Sequence, residues 1–267
     1  MTDYDGIDLE LGRAHTARMY DYFLGGVTNF EADRQAAGEA LAAMPWLRKS
    51  AQANRAFVHR STRALAQAGF TQFLDIGTGI PTSPNLHEIA QEVDPAARVV
   101  YVDNDRIVLA HARALLVGTE QGRTAYVEAE ATDPKAVLDS DELHDTLDLN
   151  QPVALSLNAL LHFIPDSLGA YEIVEQYKAA LPSGSALVMS HATADYAPAE
   201  WERVVATYRA AGTAAQVRTL QEFARFFEGW DTIAPGQVSC TKWRPDAATE
   251  QFSDIECSVY AGVALKP

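Results

Sequence analysis

Asp75, Gly77, Gly79 and Asp103 are the residues whose types and spacing point most directly to chemistry. Two glycines one residue apart, after an apolar run, admit positive φ and let a ligand approach the backbone with no Cβ in the way. Asp75 repels an anion but accepts hydrogen bonds from an ammonium group. Asp103 follows 28 positions later and is trailed by Asn104, a spacing at which a carboxylate ending the next strand meets the vicinal hydroxyls of a ribose. A dinucleotide fingerprint requires a third glycine where this chain has Thr82. Pyrophosphate is therefore a poorer fit than a zwitterionic amino acid joined to a nucleoside.

Such groups act together only if several strands end at one edge. Gln72 to Ile76 reads as a buried strand, followed by the glycine turn and a helix with Ser83 as N-cap and Pro84 in its first position. Further strands are expected over 98–103, 124–130, 152–163 and 186–191, separated by helical patterns, with Asp105 capping the helix after the second and Asp133-Pro134 opening another. Ligands gather at the carboxyl edge of such sheets. Asn158, His162 and His191 fall there; each histidine reads either as structural or as a group facing an acceptor substrate. The acidic stretch 139–150 reads as a solvated connection. Helices are expected over 166–181 and 198–211, the latter with Trp201, Val205 and Tyr208 inward as core or as a lid, and Thr219 with Glu222 forms a capping box. Strands over 231–243 and 255–266, with no helix pattern between them, predict an antiparallel hairpin at the sheet edge.

Upstream, three helical patterns precede the first strand: Thr16 to Leu24 stopped by Gly25-Gly26, a second capped by Thr28 and Glu31, and a third ended by Gly69. In the third, Leu47, Ala51, Asn54, Val58 and Leu65 share a face, and the amide of Asn54 reads as a core hydrogen bonder or a ligand contact. The 267 residues suffice for one large α/β domain with an appendage. A formal charge of −15 with no basic cluster argues against nucleic acid as a partner. Cys240 and Cys257 lack metal-type spacing and read as small buried residues. Residues 1 to 11 have no signal-peptide core and no stretch reaches membrane-spanning length, so a cytoplasmic protein with no membrane partner is expected.

The stretch Leu74-Asp75-Ile76-Gly77-Thr78-Gly79 resembles motif I of the Rossmann-like methyltransferases that use S-adenosylmethionine. More distinctive stretches, Ala17 to Gly26 with its Tyr-Asp-Tyr and Gly-Gly, Asn29 to Arg34, Ala53 to Phe57, Val99 to Asp105, His162-Phe163, Ser190 to Thr193 and Trp243 to Pro245, resemble one bacterial family of S-adenosylmethionine-dependent methyltransferases catalogued as a domain of unknown function. The resemblance covers almost the whole chain. It implies an α/β, Rossmann-like seven-stranded methyltransferase sheet with helices on both faces, an antiparallel C-terminal hairpin and an N-terminal helical cap, the cap over residues 1–68 and the cofactor domain over 69–267. It also implies S-adenosylmethionine as cofactor, held by Asp75, Gly77, Thr78, Gly79, Asp103 and Asn104, with Glu130, Ala131 and Asp133 near the adenine and Asn158 near the methionine portion. Glu130 stands where the family pattern has Asp, and Pro81 breaks the Gly-x-Gly-x-Gly form.

The expected reaction is in-line transfer of the methyl group to a small-molecule acceptor, which calls for alignment and exclusion of water and for no metal. A base is needed only for an acceptor that starts protonated; His162, His191, Tyr20 and Tyr22 are the candidates. Tyr20, Tyr22 and Phe163 are also candidates to face the sulfonium through their rings. A non-catalytic S-adenosylmethionine sensor and a nicotinamide-dependent oxidoreductase are the competing readings.

Overall fold

The computed structural model describes residues 11–115, 118–247 and 252–267. Residues 1–10 of the expected cap lie outside them. In chain order the elements are α1 (Thr16–Leu24), α2 (Glu31–Ala43), α3 (Leu47–Gln67), β1 (Gln72–Ile76), α4 (Leu86–Val93), β2 (Arg98–Asp103), α5 (Arg106–Leu115), β3 (Arg123–Glu128), α6 (Pro134–Leu138), α7 (Asp141–Thr146) and β4 (Ala154–Asn158). They continue with α8 (Ala170–Ala180), β5 (Ala186–Ala192), α9 (Pro198–Ala210), α10 (Leu220–Ala224), β6 (Asp231–Thr232), β7 (Val238–Ser239), α11 (Asp254–Cys257) and β8 (Val259–Leu265).

The strands form one sheet in the order β3-β2-β1-β4-β5-β8-β6, with β7 also on β8. The first five run parallel, and β8 is antiparallel to β5 and to the two short edge strands. The sheet is thus seven positions wide, its last position shared by β6 and β7. The direction in which the chain adds strands reverses at β1 and β4, the place where open α/β sheets take their ligands.

Alternation along the strands gives each face its own apolar layer. Leu74, Ile76, Val100, Val102, Leu155 and Leu157 pack with Val174 and Tyr177 of α8 and with the aromatics Phe223, Phe226 and Phe227. On the other face Phe73, Val99, Tyr101 and Val188 meet Phe57 and Leu65 of α3, Leu86 of α4 and Trp243. A third cluster joins α1, α2 and α9 through Met19, Phe23, Ala37, Ala40, Met44, Trp201 and Val204, and reaches Ala192 at the end of β5. The predicted stripe of α3 is buried throughout, Asn54 included. The helices before β1 therefore divide: α3 shares the layer of the sheet, while α1 and α2 pack with α9. Among the described residues no helix is long and apolar enough to cross a membrane. Cys240 and Cys257 are buried free thiols.

Several boundaries differ from those expected, each for a local reason. α4 begins at Leu86 with Asn85 as its N-cap, because Asn85 Oδ1 accepts from Thr82 N at 2.9 Å and the Glu88 carboxylate accepts from Asn85 N; Ser83 and Pro84 precede it, joined by a cis peptide bond. α2 starts after Phe30 rather than at Thr28, with Asp33 accepting from Phe30 N. β3 ends at Glu128, which leaves Glu130 in the loop beyond it. β4 ends at Asn158, where Ala159 takes φ 52° and the chain enters a 3-10 turn over Leu161–Phe163, so His162 is not on a strand. The acidic stretch contains a helix, α7, that buries Leu143, with Leu147 buried just after its end. The segment 166–168 is a 3-10 turn, and Gly169 at φ 78° separates it from α8. Strand pairing over 231–243 is confined to two residues in β6 and two in β7.

Phe57 is fully buried and meets Trp243 edge-on with ring centroids 5.4 Å apart. Phe57→Ala is expected to destabilise the fold by about 3–5 kcal/mol, read as a shift in the urea midpoint.

Candidate cofactor and acceptor cavity

Backbone geometry comes first at this site. Gly77 and Gly79 adopt φ 72° and 70°, in the left-handed region. A Cβ on Gly77 would lie 2.7 Å from Leu160 Cδ1, whereas one on Gly79 would meet nothing within 4 Å, so the space above the second glycine is open to a ligand. Gly77 N and Thr78 N both donate to Val102 O, at 2.8 and 3.1 Å, which folds the turn over the end of β2. There the Asp103 carboxylate accepts from Gly79 N at 2.8 Å and from Asp105 N at 2.9 Å. Burial still holds its pKa above the usual carboxylate range. Burial likewise pushes Asp75 up to about 7, against the opposing pull of Arg55.

These groups border a cavity of about 1120 Å3 along the carboxyl edge of the sheet. Asp75, Gly77, Thr78, Gly79, Asp103, Asn104, Glu130, Ala131 and Asn158 all line it, as do Tyr20, Asn54, His162 and Phe163. Asn104 Nδ2 donates to both oxygens of Glu130 at 3.1 and 3.0 Å, presenting a carboxylate and an amide together beyond β3. The amide of Asn158 has both polar atoms buried without a partner among the described residues. An open glycine cradle, a carboxylate at each of two neighbouring strand ends and an orphaned amide fit a ligand with an amino acid portion and a ribose.

Asp133, Tyr22 and His191 do not line the cavity. Asp133 caps α6, accepting from Ala136 N at 3.0 Å. The Tyr22 ring lies under the Arg48 guanidinium at 4.6 Å. His191 is fully buried: Nε2 lies 2.6 Å from Arg218 Nη1 and Nδ1 2.7 Å from Ala192 O, and burial with the neighbouring His162 and Arg218 depresses its basicity far below the ordinary value. It is a structural histidine. The start of α4 does not border the cavity either; His87 N donates to Tyr101 Oη at 2.8 Å.

His162 is the candidate histidine that reaches the wall. Its Nδ1 is buried without a partner, which leaves Nε2 as the nitrogen able to meet a ligand, and burial together with Arg218 lowers its pKa to about 3. The imidazole is neutral at neutral pH and serves as a hydrogen-bond partner rather than a strong base.

Asn54 is both a core hydrogen bonder and a wall residue. Ser190 Oγ accepts from Ala159 N at 2.9 Å and donates to Asn54 Oδ1 at 2.5 Å; Asn54 Nδ2 donates to Tyr20 Oη at 2.8 Å, and Tyr20 Oη donates to Ala51 O at 3.0 Å. One relay ties α1 and α3 to the ends of β4 and β5. Burial pushes the Tyr20 phenol up to about 12, so it is an orienting hydroxyl and not a base at neutral pH.

Sequence reasoning missed a second tie. Arg18, almost fully buried, lies 3.4 Å from Asp33 and 3.5 Å from Asp105, and His15 Nδ1 is 3.1 Å from Asp105 Oδ2. It locks α1 and α2 to the loop after β2. A basic residue on the buried side of an amphipathic helix, with acids in the next helix and after β2, is the signal that was present. Trp201, Val205 and Tyr208 of α9 also line the cavity, so they combine packing with a place on its wall.

Removing the Ser190 hydroxyl leaves Asn54 Oδ1 without its partner and Ala159 N with only the Ser190 carbonyl, at 3.1 Å. Ser190→Ala is expected to cost about 1–3 kcal/mol, and its combination with Tyr20→Phe to depart from additivity by at least about 0.5 kcal/mol, measured by denaturant unfolding of the two single variants and the double.

With the geometry in place, comparison with known proteins gives the family. The sequence matches the S-adenosyl methyltransferase family over residues 3–267. The fold superposes on a DUF574 family protein from Streptomyces avermitilis with a TM-score of 0.95 at 49% identity, covering 97% of this chain and 100% of that one. A candidate methyltransferase from Thermobifida fusca aligns with a TM-score of 0.89 at 36% identity over 99% of both chains. The plantazolicin methyltransferase BpumL, solved with S-adenosylhomocysteine, shares the fold at a TM-score of 0.52 and 11% identity over 94% of this chain and 95% of its own. A search of curated proteins finds no match. The chain belongs to the bacterial S-adenosylmethionine-dependent methyltransferase family represented by the Streptomyces avermitilis protein, and its cofactor is S-adenosylmethionine.

Proposed function

We propose that the chain transfers the methyl group of S-adenosylmethionine to a small-molecule acceptor inside the cavity. The observation that carries this reading is the continuity of one cavity from Asp75, Gly79 and Asp103 to Phe163, Trp201 and Tyr208. Its volume exceeds the roughly 300–1,000 Å3 of pockets that hold one drug-sized ligand, leaving room for a second molecule beside the cofactor. When bound, the cofactor supplies a methyl group on a sulfonium, open to in-line displacement by a nucleophile. The chain's task is alignment and exclusion of water, which in well-oriented systems supplies about 7–11 kcal/mol of barrier lowering.

In this reading Asp103 takes the ribose hydroxyls, Asp75 the α-ammonium and Asn158 the methionine end, while Asn104, Glu130 and Ala131 border the adenine. α1 and α2, with α3 behind them, act as the cap of the 1–68 segment, closing the cofactor side through Arg18 and the Tyr20–Asn54 relay. His162 and Tyr20 orient groups at the reacting end. A cofactor sensor that transfers nothing uses the same residues, and the absence of an aspartate, glutamate, lysine or arginine from the described cavity residues from Asn158 onward favours it. Transfer of a tritiated methyl group to components of a metabolite extract decides between them; label that stays with the cofactor supports the sensor.

Two binding experiments test the residues. Asp103→Ala is expected to weaken S-adenosylmethionine about tenfold to a hundredfold, the range of one or two hydrogen bonds to a charged group, by calorimetry; parent-like affinity removes Asp103 from the ribose. Ionised Asp75 is the form that accepts from an ammonium, and its pKa of about 7 means that binding at lower pH must expel a proton. Affinity for S-adenosylhomocysteine is therefore expected to rise from pH 5.5 to about 7 and then level off, and Asp75→Asn to flatten that slope.

A further inference from the structure

The cavity wall is divided by charge, and the division follows the chain. All its aspartate, glutamate and arginine side chains come from the stretch before β4: Asp75, Asp103, Asp105, Glu128 and Glu130 at the strand ends, and arginines from α1 with its approach, α3 and the start of α5. Among the described residues, the wall contributed from Asn158 onward has no lysine, arginine, aspartate or glutamate. Arg13 touches this half only at its exposed edge, where Nη2 donates to Gly212 O at 3.3 Å. Arg218 lies behind the wall, fully buried and paired with Asp166 at 2.6 Å, and does not line the cavity.

What this neutral half offers is aromatic surface with few polar atoms. Phe163 and Tyr208 meet at 60° with centroids 5.2 Å apart, and His162 and Phe163 at 60° and 4.2 Å. Trp201 and Val205 complete the side formed by α9. Tyr208 is 8% exposed, and its hydroxyl has no hydrogen-bond partner among the described residues, yet it is not sealed off from solvent. Together with the free nitrogen of His162 it leaves places for a ligand hydrogen bond beside aromatic faces, and Trp201 Nε1 is a further buried donor without a partner among the described residues. A charged acceptor would lose its hydration here and meet no counter-ion, and a buried ion without a partner is strongly disfavoured. A flat neutral molecule loses little and gains contact with the rings.

We infer that the methyl acceptor is an uncharged, largely apolar aromatic molecule whose polar group meets the Tyr208 hydroxyl and His162, with its ring against Phe163, Trp201 and Val205. This rests on the reading of the cavity as a cofactor site with an acceptor site beside it. The reacting atom is a neutral oxygen, nitrogen or carbon of that molecule; it forms the new bond to the methyl carbon as the sulfur–methyl bond breaks and the electron pair stays on sulfur. The proton carried by the attacking oxygen, nitrogen or carbon leaves to solvent.

The test is a matched set of probes: 2-naphthol, naphthalene-2-carboxylate and 2-naphthylmethylammonium titrated by calorimetry into protein saturated with S-adenosylhomocysteine. Naphthol is expected to bind at least about tenfold tighter than either ion; a smaller margin, or no naphthol binding, overturns the inference. Tyr208→Phe is expected to weaken naphthol about twofold to tenfold and to leave 2-methylnaphthalene unchanged; equal effects on both, or none, remove the hydroxyl from the site. Val205→Glu is expected to shift preference toward the ammonium probe over the carboxylate by at least about fivefold, and an unchanged ratio places the probes elsewhere. Failure of the cofactor reading shows separately, as no heat on titration with S-adenosylhomocysteine, and the probe ranking is then read on the free protein.

Discussion

The carboxylate of Asp103 is the constraint on which the cofactor half depends. It closes β2, receives Gly79 N–H from one direction and Asp105 N–H from the other, and so sets the glycine turn and the start of α5 against each other. A carboxylate has about four lone-pair sites, and these two bonds use only half of them. The same group can keep the turn in shape and still receive a ribose. The geometry is therefore present before any ligand arrives, which lowers the ordering cost of binding.

Around this point the fold places unlike materials on the two sides of β1 and β4. Toward β2 and β3 the strand ends carry acids and the facing helices carry arginines, so charge is met by charge: Arg18 with Asp33 and Asp105, and Arg55 donating to Thr82 O and Pro84 O while easing the ionisation of Asp75. Toward β5 the wall comes from α9 and the loop after it, whose inward residues belong to the apolar cluster of α1 and α2. A zwitterionic nucleoside and an apolar acceptor make opposite demands on solvation. In the proposed reading the fold meets both by drawing the two halves of the cavity from different stretches of chain, joined by the Ser190–Asn54–Tyr20 relay.

Much of this was legible in the residues. The strands β1, β2 and β5, the glycine stop of α1 and the buried stripe of α3 follow from apolar periodicity and capping chemistry, which are local. The carboxylates at 75 and 103 were legible because their spacing is fixed by one βαβ unit. What was not legible depends on single backbone torsions, on a choice between competing caps and on contacts far apart in sequence. The strand after Asp148 stops at Asn158 because of the φ 52° at Ala159 and the following 3-10 turn, though apolar residues continue to Phe163. Glu88 moved the start of α4 by reaching back to Asn85. His162 and His191 look equivalent in sequence, and only Arg218, more than twenty residues further on, separates them.

Arg218 also bears on how a nucleophile loses its proton. Its guanidinium donates to Leu161 O at 2.8 Å and Ile164 O at 3.0 Å, pinning the 3-10 turn that carries His162, while Asp166 holds it from outside. The same cation takes up His191, and burial, reinforced by this cation, keeps both imidazoles neutral. The turn is thus fixed in place by a group that adds to the burial in making its histidine a weak base. An acceptor that had to be fully deprotonated beforehand would find little help here. One whose nucleophilic lone pair is already free, or whose proton departs only as positive charge builds on it, requires alignment alone, which is what a rigid turn and a ring-lined wall provide.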